Sequence, residues 1–377
     1  MSDRDRRLPG LHAGAADSRT REGESDEGGS IDRMSHAKGG SSPNNGAEAM
    51  LGKGLDIGTA NIVASVQSED GEITFRLERN AFLDIQGDVY SKSMLTKLQV
   101  PYVVQGDRLV VIGEAAFELA NIFARETRRP MKDGLISPSE VDALPMIRLI
   151  IEKCLGKPRQ QGESVFFCVP AESVDKDNNV VYHRGLFEGM LRKMTYTPHT
   201  IVEGHAVVFG ELAEKDFTGI GLSFGGGMVN VCVAYKTIPA LTFSVARGGD
   251  WIDKNVAEVL GIPKSRATMI KERGVNLASP KGREEEAINI YYRNLISYVL
   301  QNIKNRFEAD IRNMPSFPEP VDIVCAGGTS MVGGFVDVFK DEFAKIKFPI
   351  PVSNIRMASE PLNAVAKGCL IAAAISE

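Results

Sequence analysis

Residues 54 to 64 read Gly54-Leu55-Asp56-Ile57-Gly58-Thr59-Ala60-Asn61-Ile62-Val63-Ala64, and the reading of this stretch decides the fold. Apolar residues run up to Asp56, Gly58 and Thr59 follow at once, and Ile62, Val63 and Ala64 restart a strand. Gly58 is therefore predicted in a tight turn between two strands. Such a turn aims successive backbone N–H groups at one point, a concave positive nest that suits an anion, and Asp56 stands where a carboxylate could hold a phosphate-bound metal and its water. Taken alone, the stretch would read equally well as an ordinary hairpin. A second copy shifts the balance. Residues 219 to 234, Gly-Ile-Gly-Leu-Ser-Phe-Gly-Gly-Gly-Met-Val-Asn-Val-Cys-Val-Ala, repeat strand, glycine-rich turn and strand, with Gly225, Gly226 and Gly227 at the bend. Two homologous halves gripping one polyphosphate from opposite sides are the expectation.

The chain of 377 residues has room for two domains with real cores. Its composition, 43% hydrophobic and 25% charged with a mean hydropathy of -0.11, is globular. A net charge of -5 and an isoelectric point near 5.7 give no electrostatic reason to expect nucleic acid as a partner. Cys154, Cys168, Cys232, Cys325 and Cys369 lie singly in apolar runs, without a C-x-x-C pair or a histidine cluster, and read as buried, reduced core residues of a cytoplasmic protein. No apolar run reaches the roughly 18 residues of a membrane span, and the N-terminus lacks the apolar core of a secretory signal.

Residues 1 to 50 are rich in Gly, Ser, Asp, Glu and Arg and poor in large apolar side chains, so they read as a disordered tail. The charges are mixed in sign with no apolar face at helical spacing, which argues against an amphipathic membrane anchor. A translation start at Met34 or Met50 stays open.

From Leu51 the reading is α/β. Strands at 52–57, 60–68 and 72–79 form a meander turned by Asp70-Gly71. Strands at 100–104 and 108–112 and a helix at 114–124 make a small subdomain over about 86–128. Helix 139–154, strand 164–169, helix 180–194, strand 198–202 and helix 204–214 then alternate, the signature of helices on a partly parallel sheet. The second half repeats the meander at 218–224, 228–236 and 239–247. Helices from about 250 to 317 follow, and one of them carries Ile288, Tyr291, Leu295, Val299, Ile303, Phe307 and Ile311 at steps of three and four, a core-facing stripe. Strand 321–325 ends in Ala326-Gly327-Gly328-Thr329-Ser330, and an Ala-rich helix opens at Pro361 and runs to 374. The domains expected are thus 51–215 and 216–377, with the last helix returning toward the first.

These motifs resemble the actin-like ATPase superfamily, most nearly the bacterial MreB and MamK type of filament protein. The likeness covers 51 to 377. Asp56-Ile57-Gly58-Thr59-Ala60-Asn61 is similar to the first phosphate loop of MreB, and Arg129-Pro130-Met131-Lys132-Asp133-Gly134 resembles the segment leading back into the large subdomain. Ile270-Lys271-Glu272-Arg273 resembles the stretch lining adenine and ribose, and Gly327-Gly328-Thr329-Ser330-Met331 with Gly333-Gly334-Phe335 the adenosine motif. Each is common alone; five in this order are specific. The resemblance implies an actin-like, ribonuclease H-like duplicated α/β fold with ATP or ADP and Mg2+ in a cleft between the halves.

Under this reading Gly58, Thr59, Ala60 and Asn61 face Gly225, Gly226 and Gly227 across the phosphates, and Asp56 serves the metal. Gly327 and Gly328 let the backbone approach the nucleotide, while Thr329 and Ser330 are expected to cap the next helix so that its amides face the phosphates. Lys271 would lay its stem over the adenine and Glu272 offer a carboxylate to the ribose; a solvated charged face is the alternative. Asp250 is expected to cap the helix from Trp251. Glu203, in Ile201-Val202-Glu203-Gly204-His205-Ala206, resembles the water-positioning glutamate of the family's Glu-Pro-x-Ala-Ala segment, with Gly204 in place of proline. Its other role would be at a helix N-terminus, and His205 beside it reads as packing.

One departure bears on chemistry. Ser223 and Met228 stand where the second phosphate loop of the family usually carries aspartate and threonine. Serine is neutral and a weaker partner for a magnesium-bound water, so hydrolysis is expected to be slow. The implied function is an ATP-dependent filament of head-to-tail copies of this chain, with membrane-associated or cargo partners left open. Against it stand a chaperone ATPase, which would need a further substrate domain, a sugar or acetate kinase, for which no recognition signature is visible, and a non-polymerising adaptor like FtsA or PilM, which Ser223 suits.

Overall fold

The computed structural model describes residues 52–122, 125–137, 140, 143–177 and 179–375. The polar tail predicted over 1–50 lies outside the described residues, as do three of the first four positions of the helix predicted from 139.

Alternating apolar runs build two five-stranded sheets of the same plan. In the first, β1 (Lys53–Ile57), β2 (Asn61–Gln67) and β3 (Ile73–Arg79) form an antiparallel meander. β9 (Ser164–Val169) then pairs parallel to β1, and β10 (Thr197–Val202) parallel to β9. In the second, β11 (Gly219–Phe224), β12 (Val229–Tyr235) and β13 (Ile238–Val245) repeat the meander. β14 (Val321–Ala326) lies parallel to β11, and β15 (Val352–Met357) parallel to β14. The strand orders are β3-β2-β1-β9-β10 and β13-β12-β11-β14-β15, one pattern used twice.

Each sheet buries its outer face under helices. α3 (Leu144–Leu155) and α4 (Val180–Lys193), the latter with Phe187 and Leu191, close a core over Leu55 and Phe167 of the first sheet. α6 (Gly249–Leu260), α7 (Lys264–Glu272), α8 (Gly282–Ala309) and α9 (Phe335–Ala344) cover the second around Phe224, Phe243, Tyr292 and Phe339. Between the sheets run α5 (Glu203–Glu211) and α10 (Ala364–Ile375), packed on each other. α5 follows the first sheet yet lies on β11 and β12, and α10 follows the second yet lies on β1 and β9, so each helix crosses over. Small residues permit this: a Cβ at Gly368 would fall 1.7 Å from Ala206 O, and one at Gly54 2.2 Å from Ala366 O.

Several elements were not foreseen. The strands expected at 100–104 and 108–112 are β5 (Tyr102–Gln105) and β6 (Arg108–Ile112), and the helix expected from 114 is α2 (Glu114–Ile122). Missed were β4 (Phe82–Gln86), which completes their sheet in the order β4-β6-β5, and α1 (Val89–Lys97), which packs with it. β7 (Met131–Lys132) and β8 (Leu135–Ile136) make a hairpin too short to show a period. β15 carries Ser353, Asn354 and Arg356 on an exposed edge, which hides it from a hydrophobic pattern. α8 stops at Ala309, leaving Ile311 outside the stripe and 61% exposed, while Tyr292 rather than Tyr291 is the fully buried ring.

Candidate functional site

The two glycine bends have the same geometry. Gly58 N donates to Asn61 O and Gly225 N donates to Met228 O, each at 2.9 Å, so Asp56 and Ser223 stand at equivalent points two residues earlier. Glycine is required by close approach. A Cβ at Gly58 would lie 2.9 Å from Asn61 O, and one at Gly227 only 2.3 Å from Gly134 N and 2.6 Å from Thr59 Oγ1. A Cβ at Gly226 would touch Ala60 Cβ at 3.4 Å. The bends therefore face each other, with the β7–β8 hairpin pressed against the second.

Both bends line one cavity of about 480 Å³. Asp56, Gly58, Thr59, Ala60 and Asn61 come from the first half, Gly225, Gly226 and Gly227 from the second, and Glu203 from the first turn of α5. Lys271, Glu272, Gly327, Gly328 and Thr329 line it too. Ser330 does not: it is fully buried, with Oγ donating to Gly327 O at 2.8 Å.

Three expected roles are corrected by local geometry. Gly327 (φ +90°) leads into a short 3-10 turn, Gly328–Met331, and α9 starts later with Gly334 (φ +73°) as its N-cap and no side-chain bond, so Thr329 and Ser330 cap nothing there. Thr329 Oγ1 donates to Gly225 O at 2.8 Å instead. α6 begins at Gly249, one residue before the expected cap, because the Gly249 and Asp250 amides are taken by Gly225 O (3.0 Å) and Gly226 O (2.8 Å). The Asp250 carboxylate is thereby free to accept from Arg129 (2.9 Å) across the cavity and from Lys264 (3.1 Å). Desolvation opposes its ionisation, but Arg129 and Lys264 together hold it below the ordinary range. Lys271 lines the wall with its stem, while its ammonium is buried against Asp253 (2.8 Å) and Gly249 O (3.2 Å). Glu272 sits at the exposed rim, 3.9 Å from Arg79.

The cavity floor is a cluster of buried oxygens. Ser223 Oγ donates to Glu203 Oε2 at 3.2 Å, and Cys168 Sγ donates to Asp56 Oδ1 at 3.0 Å. Desolvation raises both carboxyls above the ordinary range; the Asp56 charge raises Glu203 further. Desolvation pushes the Cys168 thiol well up as well, so it stays protonated and donates. Asn230, across the β11–β12 ladder from Ser223 and fully buried, accepts from the Ala171 amide (3.0 Å), and its side chain and Ser223 partly offset the rise at Glu203. Two unneutralised carboxylates and protonated neighbours make a hard oxygen donor set, the kind that fits Mg2+ rather than a thiolate metal. Among the described residues no three His, Cys, Asp or Glu side chains form a closed metal cage.

Arg129, Asp250, Asn80, Tyr292 and Cys168 were not picked out as site residues. Tyr292 is anchored by donating to Thr329 O at 3.0 Å, beneath the cavity wall. Arg129 and Asp250 fall in stretches singled out above for other reasons; Asn80, Tyr292 and Cys168 carry no local signal, since the partner each bonds is distant in sequence. His205 packs, with Nε2 2.8 Å from Thr237 O and its ring 4.8 Å from that of Phe209.

A family profile described as Volactin matches residues 51–373. Comparison with curated proteins gives no match. Among solved structures, the chain resembles the MamK double helical filament at 20% identity, over 85% of this chain and 98% of that one, with a TM-score of 0.64. MreB5 of Spiroplasma citri bound to ADP matches at 18% identity over 84% and 94%, with a TM-score of 0.56. The ethanolamine utilization protein EutJ from Carboxydothermus hydrogenoformans matches at 17% over 87% and 91%, with a TM-score of 0.51. At these identities the likeness establishes the fold, which is actin-like.

Proposed function

Since this chain belongs to the Volactin family, we propose that it is an ATP-binding, actin-like protein that polymerises into cytoskeletal filaments and hydrolyses ATP slowly. The observation that carries the reading is the pair of glycine bends closed by the same backbone hydrogen bond, one from each sheet, meeting over a cavity floored by Asp56 and Glu203. A triphosphate needs amides on both sides and a metal-binding carboxylate beneath, and this arrangement offers both. The solved MreB5 complexes with ADP and AMPPNP add support from proteins of this fold.

Residues 51–215 and 216–377 act as two domains, with Gly58 to Asn61 and Gly225 to Gly227 binding the phosphates. Asp56 holds Mg2+, which when bound neutralises the phosphate oxygens. Glu203 orients the attacking water, and its raised pKa lets it take a proton near neutral pH. Gly327, Gly328 and the Lys271 stem shape the nucleoside pocket, with Glu272 at its rim. Ser223 replaces a carboxylate with a neutral hydroxyl, which slows hydrolysis and lengthens the ATP state. Closing around the triphosphate couples the angle between halves to the nucleotide, and head-to-tail stacking of copies propagates that state along a polymer. The filament proposed is a cytoplasmic one. No described helix is long and apolar enough to cross a membrane.

Ser223 also favours a second reading, a non-polymerising adaptor that binds ATP. Sedimentation with and without Mg-ATP, followed by negative-stain microscopy, separates the two. Nucleotide-dependent pelleting of filaments is expected. ATP binding without polymers at high protein concentration overturns the filament reading in favour of the adaptor.

A further inference from the structure

Both bends are pinned from behind. A planar trans peptide points its C=O and N–H in opposite directions, so whatever ties the carbonyl also fixes where the following amide looks. In the first bend, one fully buried residue ties two carbonyls: Asn80 donates from its backbone N to Ala60 O and from Nδ2 to Gly58 O, both at 2.9 Å. The Thr59 and Asn61 amides are thereby turned to the side away from Asn80. In the second bend, Gly225 O accepts from Thr329 Oγ1 (2.8 Å) and Gly249 N (3.0 Å), and Gly226 O from Asp250 N (2.8 Å).

The pins occupy related places. Asn80 follows the third strand of the first sheet, and Gly249 and Asp250 come shortly after the third strand of the second. There, the first turn of a helix supplies spare amides. The first half has no helix at that point, and a side-chain amide takes over. Asn80 does this at a penalty, because its Oδ1 is buried without a partner among the described residues. An unmet buried acceptor is destabilising, so stability alone does not favour an amide here, whereas a donor aimed at Gly58 O explains it.

We infer that Asn80 and Thr329 are positioning residues for the polyphosphate: each holds a bend carbonyl outward so that the following amide is presented to the anion. The inference rests on the nucleotide reading above. Thr329, expected from the sequence to cap a helix beside the phosphates, acts through Gly225 instead, and Asn80 acts through Gly58.

Calorimetric titration with ATP and with adenosine, in Mg2+, tests this on wild type, Asn80→Asp, Thr329→Val and Thr329→Ser. Asn80→Asp keeps the shape but sets an acceptor against Gly58 O, and Asn80→Ser replaces it if that variant does not fold. The preference for ATP over adenosine is expected to fall at least tenfold in Asn80→Asp and Thr329→Val, and to return in Thr329→Ser. An unchanged preference, or parallel weakening of both ligands, overturns the inference. Wild type that binds neither ligand rejects the nucleotide reading itself, a distinguishable failure.

Discussion

Replacing Ser223 with aspartate would put a third carboxylate beside two that are already difficult to ionise. Ser223 Oγ lies 3.2 Å from Glu203 Oε2, in a floor shared with Asp56. Two charges about 4 Å apart repel by about 4 kcal/mol at an effective dielectric near 20. Protonating one of them instead costs a shift of roughly three pK units, again about 4 kcal/mol. Spread over the roughly 320 described residues, with an unfolding entropy near 2 cal/mol/K each, that loss lowers the melting temperature by about 6 °C. The pH dependence has a definite sign. Asp56 and Glu203 are raised in the fold, so their contribution to stability is full below the ordinary carboxylate range and is lost as pH rises through their folded values. Ser223→Asp deepens that loss. Scanning fluorimetry in chelator at pH 5 and pH 8, then with Mg2+ at pH 8, should show a deficit at pH 8 that shrinks at pH 5 and is recovered by the metal. A variant that melts with wild type at pH 8 in chelator, or ignores Mg2+, would refute the account of the floor.

Glu203→Gln keeps the shape and the Ser223 contact but removes the proton acceptor. Phosphate release should fall by about 100-fold while ATP affinity holds, and an unchanged rate in a phosphate-release assay rejects the assignment. All five cysteines are buried and free, and desolvation raises the Cys154, Cys232 and Cys325 thiols. A thiol reagent should therefore label none of them promptly in the folded protein and all five in denaturant; fast labelling without denaturant would contradict this packing.

The sequence alone determined the parts whose signals are local. Apolar runs broken by turn residues located the two meanders, and glycines between them located both bends, because close backbone approach leaves a mark in residue type. The stripe from Ile288 to Phe307 likewise found α8. Only the tertiary structure decided which partner each polar group took. Thr329 looks like a helix cap in sequence, but the chain turns through a 3-10 segment and brings its hydroxyl to Gly225. Asp250 has the residue type of a cap, yet the second bend claims the helix amides and leaves its carboxylate to Arg129. Asn80 carries no motif at all. A hydrogen bond between residues far apart in the chain is fixed by where two sheets place their ends, and a one-dimensional pattern does not hold that information.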